Sequence, residues 1–502
     1  MAPPGGRDYA LAVETPDYSL HAGFIVVYLL ALIGVGALKA RKIKSQEDFA
    51  LAGRGLPGWV LVGTLLATWI GTGSIFGNAQ KAYQIGVPAL MIPVAGAAGI
   101  VALFFLAARI RRFGQFTIQD ILEARFGVWA RVLSTIALLG AYIIIVSYQY
   151  RAGSAVLERV VPDLEGAYAV YAVAAFVIVY TALAGMFSVA YTDVANGIMM
   201  TIGIAIAIPI LWSKAGGWEG AVASLGEGRG EVTDYWDTVK LLGVLMPAFL
   251  LMLGDANMYQ RFFSAKDVAS ARRSAVGMLV GVIALEVAII LVALLSTALV
   301  AQGELAVPEN PGHIIVVAAF DALPAVVGAM LIATVVAVVV STADSYLLAP
   351  SSSLVRDVYQ RFINPNAEPG KVVFLSRLFV VILGLVALGL AFTSDAFFEV
   401  SLFAYTIYGC AITPCMLAAF FWKRANAAGA VASIVVGAVV ALFWETIKFL
   451  QGQGAAWAQS AVETLHANEL EAVLVAFPLS VIALVGVSLA TAPPPAEKAN
   501  AI

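Results

Sequence analysis

LVGTLLATWIGTGSIFGNAQ (Leu61–Gln80) starts as a membrane span and then contradicts itself. Gly71, Thr72 and Gly73 fall at mid-depth of an apolar segment. Glycine inside a helix costs about 1 kcal/mol and frees backbone groups. In lipid such irregularity survives only where it lines a cavity or is buried in protein. A second interrupted span, LLGVLMPAFLLMLGDANMYQRF (Leu241–Phe262), carries Pro247 and then Gly254-Asp255. The second lies five spans after the first. An odd offset makes the second copy of a five-span unit inverted in the membrane, and paired broken helices in inverted repeats mark a transporter binding site near the midplane. The competing reading is glycines that only let helices pack closely.

The surrounding sequence is that of a polytopic helical membrane protein. Of 502 residues, 61% are hydrophobic and 12% charged, with mean hydropathy +0.91; soluble domains carry about 25% charge. Thirteen apolar spans are expected, near 20–38, 57–80, 86–108, 131–157, 167–185, 189–212, 240–260, 276–301, 324–350, 371–393, 399–421, 427–449 and 472–491. The segments lack the alternation of a β-barrel. With the N-terminus outside, every second loop is cytoplasmic, and those loops collect 21 of the 29 basic residues, Arg261 among them. The positive-inside rule therefore gives N-out, C-in, in the plasma (inner) membrane. The first twenty residues show no cleavable signal pattern, so the first span is read as an anchor. The tail TAPPPAEKAN (491–500) reads as disordered.

The composition also excludes functions. A net charge of −3 suggests no nucleic-acid partner. Cys410 and Cys415 fit neither a disulfide framework nor a zinc site, and the three histidines are scattered. With no HExxH, no GxSxG and no histidine at mid-span, an enzyme is not expected, nor an organic cofactor, nor an obligatory protein partner.

A polar island stands out in the ninth span, VAVVVSTADSYLLAPSSSLVRD (Val336–Asp357). Ser341 and Ser345 share a helix face, as do Thr342 and Ser345. Hydroxyls with the carboxylate of Asp344 are expensive in a membrane helix unless they face something polar, and hard oxygen ligands suit a small cation such as sodium. The alternative is hydroxyls that only bond their own i−4 carbonyls. Asp193, five residues into the sixth span, lies at the depth of Ser345, about 7–8 Å inside the membrane; otherwise it is an interfacial carboxylate solvated from the cytoplasm. Arg151, after Tyr148, Gln149 and Tyr150, could bind a substrate carboxylate or snorkel to the outer interface. Trp69 could stack on a solute or face a cation. Asp255, in the second break, could bind an amine or pair with an arginine.

Four motifs carry a family resemblance: ATWIGTGSIFGNAQKAYQIG (67–86), ALAGMFSVAYTDV (182–194), LMLGDANMYQRFFSAK (251–266) and VSTADSYLLAPSSSLVRDVY (340–359). Over about residues 20–490 the chain resembles the sodium:solute symporter family of sugar, proline and choline cotransporters. The resemblance implies a LeuT-type core of two inverted five-helix repeats and alternating-access symport of sodium with a small solute. It divides the chain into residues 1–56, a tail, first helix and loop; a core at 57–421 with repeats at about 57–212 and 240–421; and two further helices and a tail at 422–502. By position, it implies a main sodium site from the carbonyls of Ala67, Ile70 and Val338 and the hydroxyls of Ser341 and Thr342. A second sodium would meet Asp193, Ser341, Asp344 and Ser345, where Asp344 departs from the hydroxyl that members with that site commonly have. Solute contacts are expected from Trp69, Gly71, Thr72, Gly73, Ser74, Tyr148, Arg151 and Asp255, with a carboxylate or amino-acid-like solute favoured. A sugar, a choline-like solute and proton coupling on the same fold are the alternatives.

Overall fold

The computed structural model describes residues 18–40, 43–161, 163–164, 166–394, 396–452, 456–467 and 470–501. The N-terminal tail, with Arg41 and Lys42 of the first basic loop, lies outside the described residues. Ten described helices are long and apolar enough to cross a membrane, or eleven when one bent pair counts as a single span.

After α1 (Ser19–Ala40), the bent pair is α2 (Gly58–Trp69) and α3 (Gly73–Ile85), which meet at 51°. Helix α2 stops because Ile70 leaves the helical region, with φ −72° and ψ 90°. Next come α4 (Pro93–Phe113), the short α5 (Ile118–Phe126), α6 (Val128–Val160) and α7 (Gly166–Lys214). At 49 residues, α7 would measure about 73 Å, more than twice the ~30 Å hydrocarbon core. Gly185 divides it, with φ 61° and ψ 171°, a conformation open only to glycine. The fifth and sixth expected spans are its two parts.

The second interruption separates α8 (Thr238–Gly254) from α9 (Ala256–Ser264). Pro247 remains inside α8, and the break itself falls at Asp255, which is extended at φ −65°, ψ 115° and caps α9 by accepting from the Asn257 backbone N–H at 2.7 Å. Then follow α10 (Val268–Ala301), α11 (Ala325–Ser353), α12 (Pro369–Leu390), α13 (Phe397–Phe421), α14 (Ala427–Gly452) and α15 (Ala472–Ala490). Helix α11 packs against α7, α6 and α2; α10 against α4 and α2; α8 against α13 and α4. The polar island thus runs down the centre of the bundle, and every residue from Ala337 to Ser353 is buried.

The C-terminal tail differs from its disordered expectation. Ala496–Ala499 form a helical turn, Lys498 Nζ donates to the Glu123 carbonyl at 3.3 Å, and Lys423 Nζ to Asn500 Oδ1 at 2.9 Å. Three prolines preclude a long helix there, but neighbouring polar groups supply partners that local composition cannot reveal.

Candidate functional site

The break after Trp69 is pressed against α11. Ser341 Oγ donates to the Ala67 carbonyl at 3.1 Å and lies 3.3 Å from the Val338 carbonyl. Gly71 approaches so closely that a methyl group there would stand 3.0 Å from both Cγ2 and Oγ1 of Thr342. The Thr342 hydroxyl is buried and has no hydrogen-bond partner among the described residues. A buried hydroxyl left unsatisfied costs about 1–3 kcal/mol. Carbonyls and hydroxyls gathered at a helix break, one hydroxyl unspent, form the oxygen-only environment a hard cation needs.

One turn further along α11 the structure builds a denser network. Thr64 Oγ1 donates to Asp193 Oδ2 at 2.5 Å. Arg261 Nε donates to Thr64 Oγ1 at 3.0 Å, its Nη2 to Ser345 Oγ at 2.6 Å, and the same Nη2 stands 3.6 Å from Asp193 Oδ2. Ser345 Oγ in turn donates to Asp344 Oδ1 at 3.2 Å. The equal depth of Asp193 and Ser345 therefore corresponds to a real junction, and Asp193 is fully buried rather than solvated from the cytoplasm. Arg261, expected as a loop charge, is 0% exposed and sits among the residues expected to hold a second sodium. Asp193 Oδ1 and Asp344 Oδ2 remain buried without a partner, so two carboxylates face one guanidinium.

On the other side of the broken helix lies a small cavity of about 40 Å³. Trp69, Gly73, Ser74 and Asn78 line it from the broken span, Ser401 and Tyr405 from α13, and Glu286 from α10. Trp69 Nε1 donates to Glu286 Oε1 at 2.9 Å and Ser74 Oγ to the same oxygen at 3.1 Å. The Trp69 indole therefore holds a carboxylate. Tyr148 is buried behind this wall, its phenol directed at Ser401 and Tyr405.

Three expected solute contacts are placed otherwise. The Thr72 hydroxyl donates to Gln149 Oε1, docking the break onto α6. Asp255 engages both oxygens inside the bundle, accepting from Tyr142 Oη at 2.5 Å and from Tyr346 Oη at 3.1 Å, and does not line the cavity. Two phenols and a helix N-terminus hold it, and no arginine forms an ion pair with it among the described residues. Arg151 is half-buried and is likewise absent from the lining.

Glu286 is the residue that pattern reading passed over. It stands alone in GVIALEVAII (281–290), and a carboxylate at the centre of a span costs about 2.5–3.5 kcal/mol on insertion scales. The test applied to Asp193 and Arg151 would have singled it out.

A sequence profile of the sodium:solute symporter family matches residues 49–437. The chain belongs to this family. Among sodium:solute symporters, the sodium/proline symporter of Haemophilus influenzae is 27% identical over 84% of this chain and 87% of its own length. The sodium/glucose cotransporter of Vibrio parahaemolyticus is 24% identical over 84% of each. In fold, the chain is similar to a Na+-coupled sialic acid symporter solved in a substrate-bound outward-open state, with TM-score 0.80 and 18% identity over 94% of this chain and 98% of that one. The fold is accordingly the LeuT-type arrangement. The protein is a multi-pass membrane symporter that couples solute movement to sodium, the co-transported ion.

Proposed function

We propose that this symporter takes up its solute across the plasma membrane with the N-terminus outside, and that its main sodium is held by the carbonyls of Ala67, Ile70 and Val338 with the hydroxyls of Ser341 and Thr342. The observation that carries the site is the unspent, buried Thr342 hydroxyl beside Gly71, with Ser341 reaching the Ala67 carbonyl at 3.1 Å. We read the chain as a carrier without a catalytic centre.

Sodium at this point ties the broken helix to α11, so it favours one conformation of the two repeats. A solute that prefers the same conformation binds more tightly when sodium is present, and the effect is reciprocal. Solute binds at the break, on the side of Trp69, Gly73 and Ser74. Rocking of one repeat against the other then opens both ligands to the cytoplasm. Relatives named for proline and for glucose share this coupling, and the lining of the cavity sets the solute.

The test is the double variant Ser341→Ala with Thr342→Ala in proteoliposomes. Sodium-dependent uptake is expected to disappear while the protein remains folded. Unchanged sodium affinity and rate would overturn the assignment. A second sodium at Asp193, Ser341, Asp344 and Ser345 requires Arg261 to leave Ser345, because its Nη2 holds that hydroxyl at 2.6 Å.

A further inference from the structure

Glu286 on α10 is 5% exposed. Both of its hydrogen bonds, from Trp69 and from Ser74, go to Oε1. No hydrogen bond reaches Oε2 among the described residues, and Glu286 lines the cavity. No lysine or arginine lines that cavity, and no described basic side chain forms an ion pair with Glu286. Lys81, the cation nearest along the broken helix, lies outside in a larger vestibule and is paired with Glu399 at 3.3 Å.

A carboxylate in a membrane interior is ordinarily paired, and the protein supplies hydrogen bonds to Glu286 but no counter-charge. Three aromatic side chains, Trp69, Phe398 and Tyr405, share the lining with Ser74, Asn78, Ser401 and several aliphatic residues. Aromatic side chains near a carboxylate suit a cationic nitrogen. An anionic group would meet repulsion there, and a sugar would leave the charge uncompensated.

Resting on the reading of the break as the solute site, we propose that the transported solute presents a cationic nitrogen to Glu286, and that Glu286, not Arg151, selects it. A carboxylate elsewhere on the solute is not required.

The test uses the full-length protein in nanodiscs, with thermal unfolding as readout, in sodium chloride and in potassium chloride. Ethanolammonium, choline and proline serve as nitrogen-bearing probes; lactate and glucose serve as probes without nitrogen. In sodium, at least one nitrogen-bearing probe should raise the unfolding temperature, and lactate and glucose should not. Glu286→Gln should abolish that shift or require about tenfold more probe, and Glu286→Asp should keep a weaker one. Glu286→Gln should still gain stability when sodium replaces potassium, which shows that it folds and holds sodium. The proposal is overturned if lactate or glucose is the stabilising probe, if no nitrogen-bearing probe acts, or if Glu286→Gln leaves the shift intact. If Glu286→Gln does not fold, the wild-type ranking of probes and the Glu286→Asp response decide. Loss of the sodium effect in the wild type would instead refute the sodium-coupled reading.

Discussion

Arg261 Nη2 donates to Ser345 Oγ at 2.6 Å, and this contact joins the second broken helix to the polar island, one turn along α11 from Ser341 and Thr342. Through Thr64 and Asp193 the same guanidinium also reaches α2 and α7. Removing one partner of a buried ion pair costs about 3–5 kcal/mol, because the other charge is left uncompensated. Arg261→Ala should therefore lower thermal stability sharply, and adding Asp193→Asn should restore part of the loss. Additive effects in that double-mutant cycle would show that the pair is not coupled.

Gly71 lets the break approach Thr342. Gly71→Ala would push its methyl group against Thr342 Oγ1 and Cγ2 at 3.0 Å. Apparent sodium affinity should fall by about tenfold, an energy of ~1.4 kcal/mol, with a smaller change in overall stability. Sodium titration of tryptophan fluorescence reads this, and an unchanged titration would argue against cation binding at this point.

Asp255 fixes the second break through Tyr142, Tyr346 and the Asn257 backbone. Asp255→Ala should cost on the order of 1–3 kcal/mol in stability, since it strands two phenols and a helix N-terminus. Tyr142→Phe and Tyr346→Phe should each cost less. Solute selectivity should stay unchanged, and a switch in preferred solute on Asp255→Asn would instead place this carboxylate in the binding site.

Arg151 lies apart from the cavity lining. Arg151→Ala should leave the apparent solute affinity within about threefold, or ~0.65 kcal/mol. A loss far beyond that, in uptake assays on folded protein, would return Arg151 to the solute site.

Replacing external sodium by potassium, with the membrane potential held fixed, should stop concentrative uptake at every pH between mildly acid and mildly alkaline. Uptake driven by a proton gradient alone would assign the coupling to protons.

The broken spans and the hydroxyl cluster were legible because helices in lipid tolerate few interruptions, so Gly71, Gly73 and Gly254-Asp255 stood out against their surroundings. The alignment of Asp193 with Ser345 followed from counting residues into each span. Sequence spacing cannot say which way a side chain turns within a bundle. Asp255 looked available and is committed to tyrosines, while Arg261 looked like a loop charge and is fully buried. Glu286 is a different kind of omission, since the rule that exposes it needs only its own span.

The cavity beside Glu286 and the vestibule of about 700 Å³ outside it share Val244, Phe398 and Leu402 as walls. Phe398 is not free to swing independently. Its backbone N–H donates to Gln80 Oε1 at 3.3 Å, and its ring lies under Lys81 Nζ at 4.7 Å. Gln80 and Lys81 belong to α3, the half-helix that also carries Ser74 and Asn78 into the cavity. Tilting α3 would then move the wall of the vestibule and the wall of the cavity as one lever, so neither space changes shape without the other.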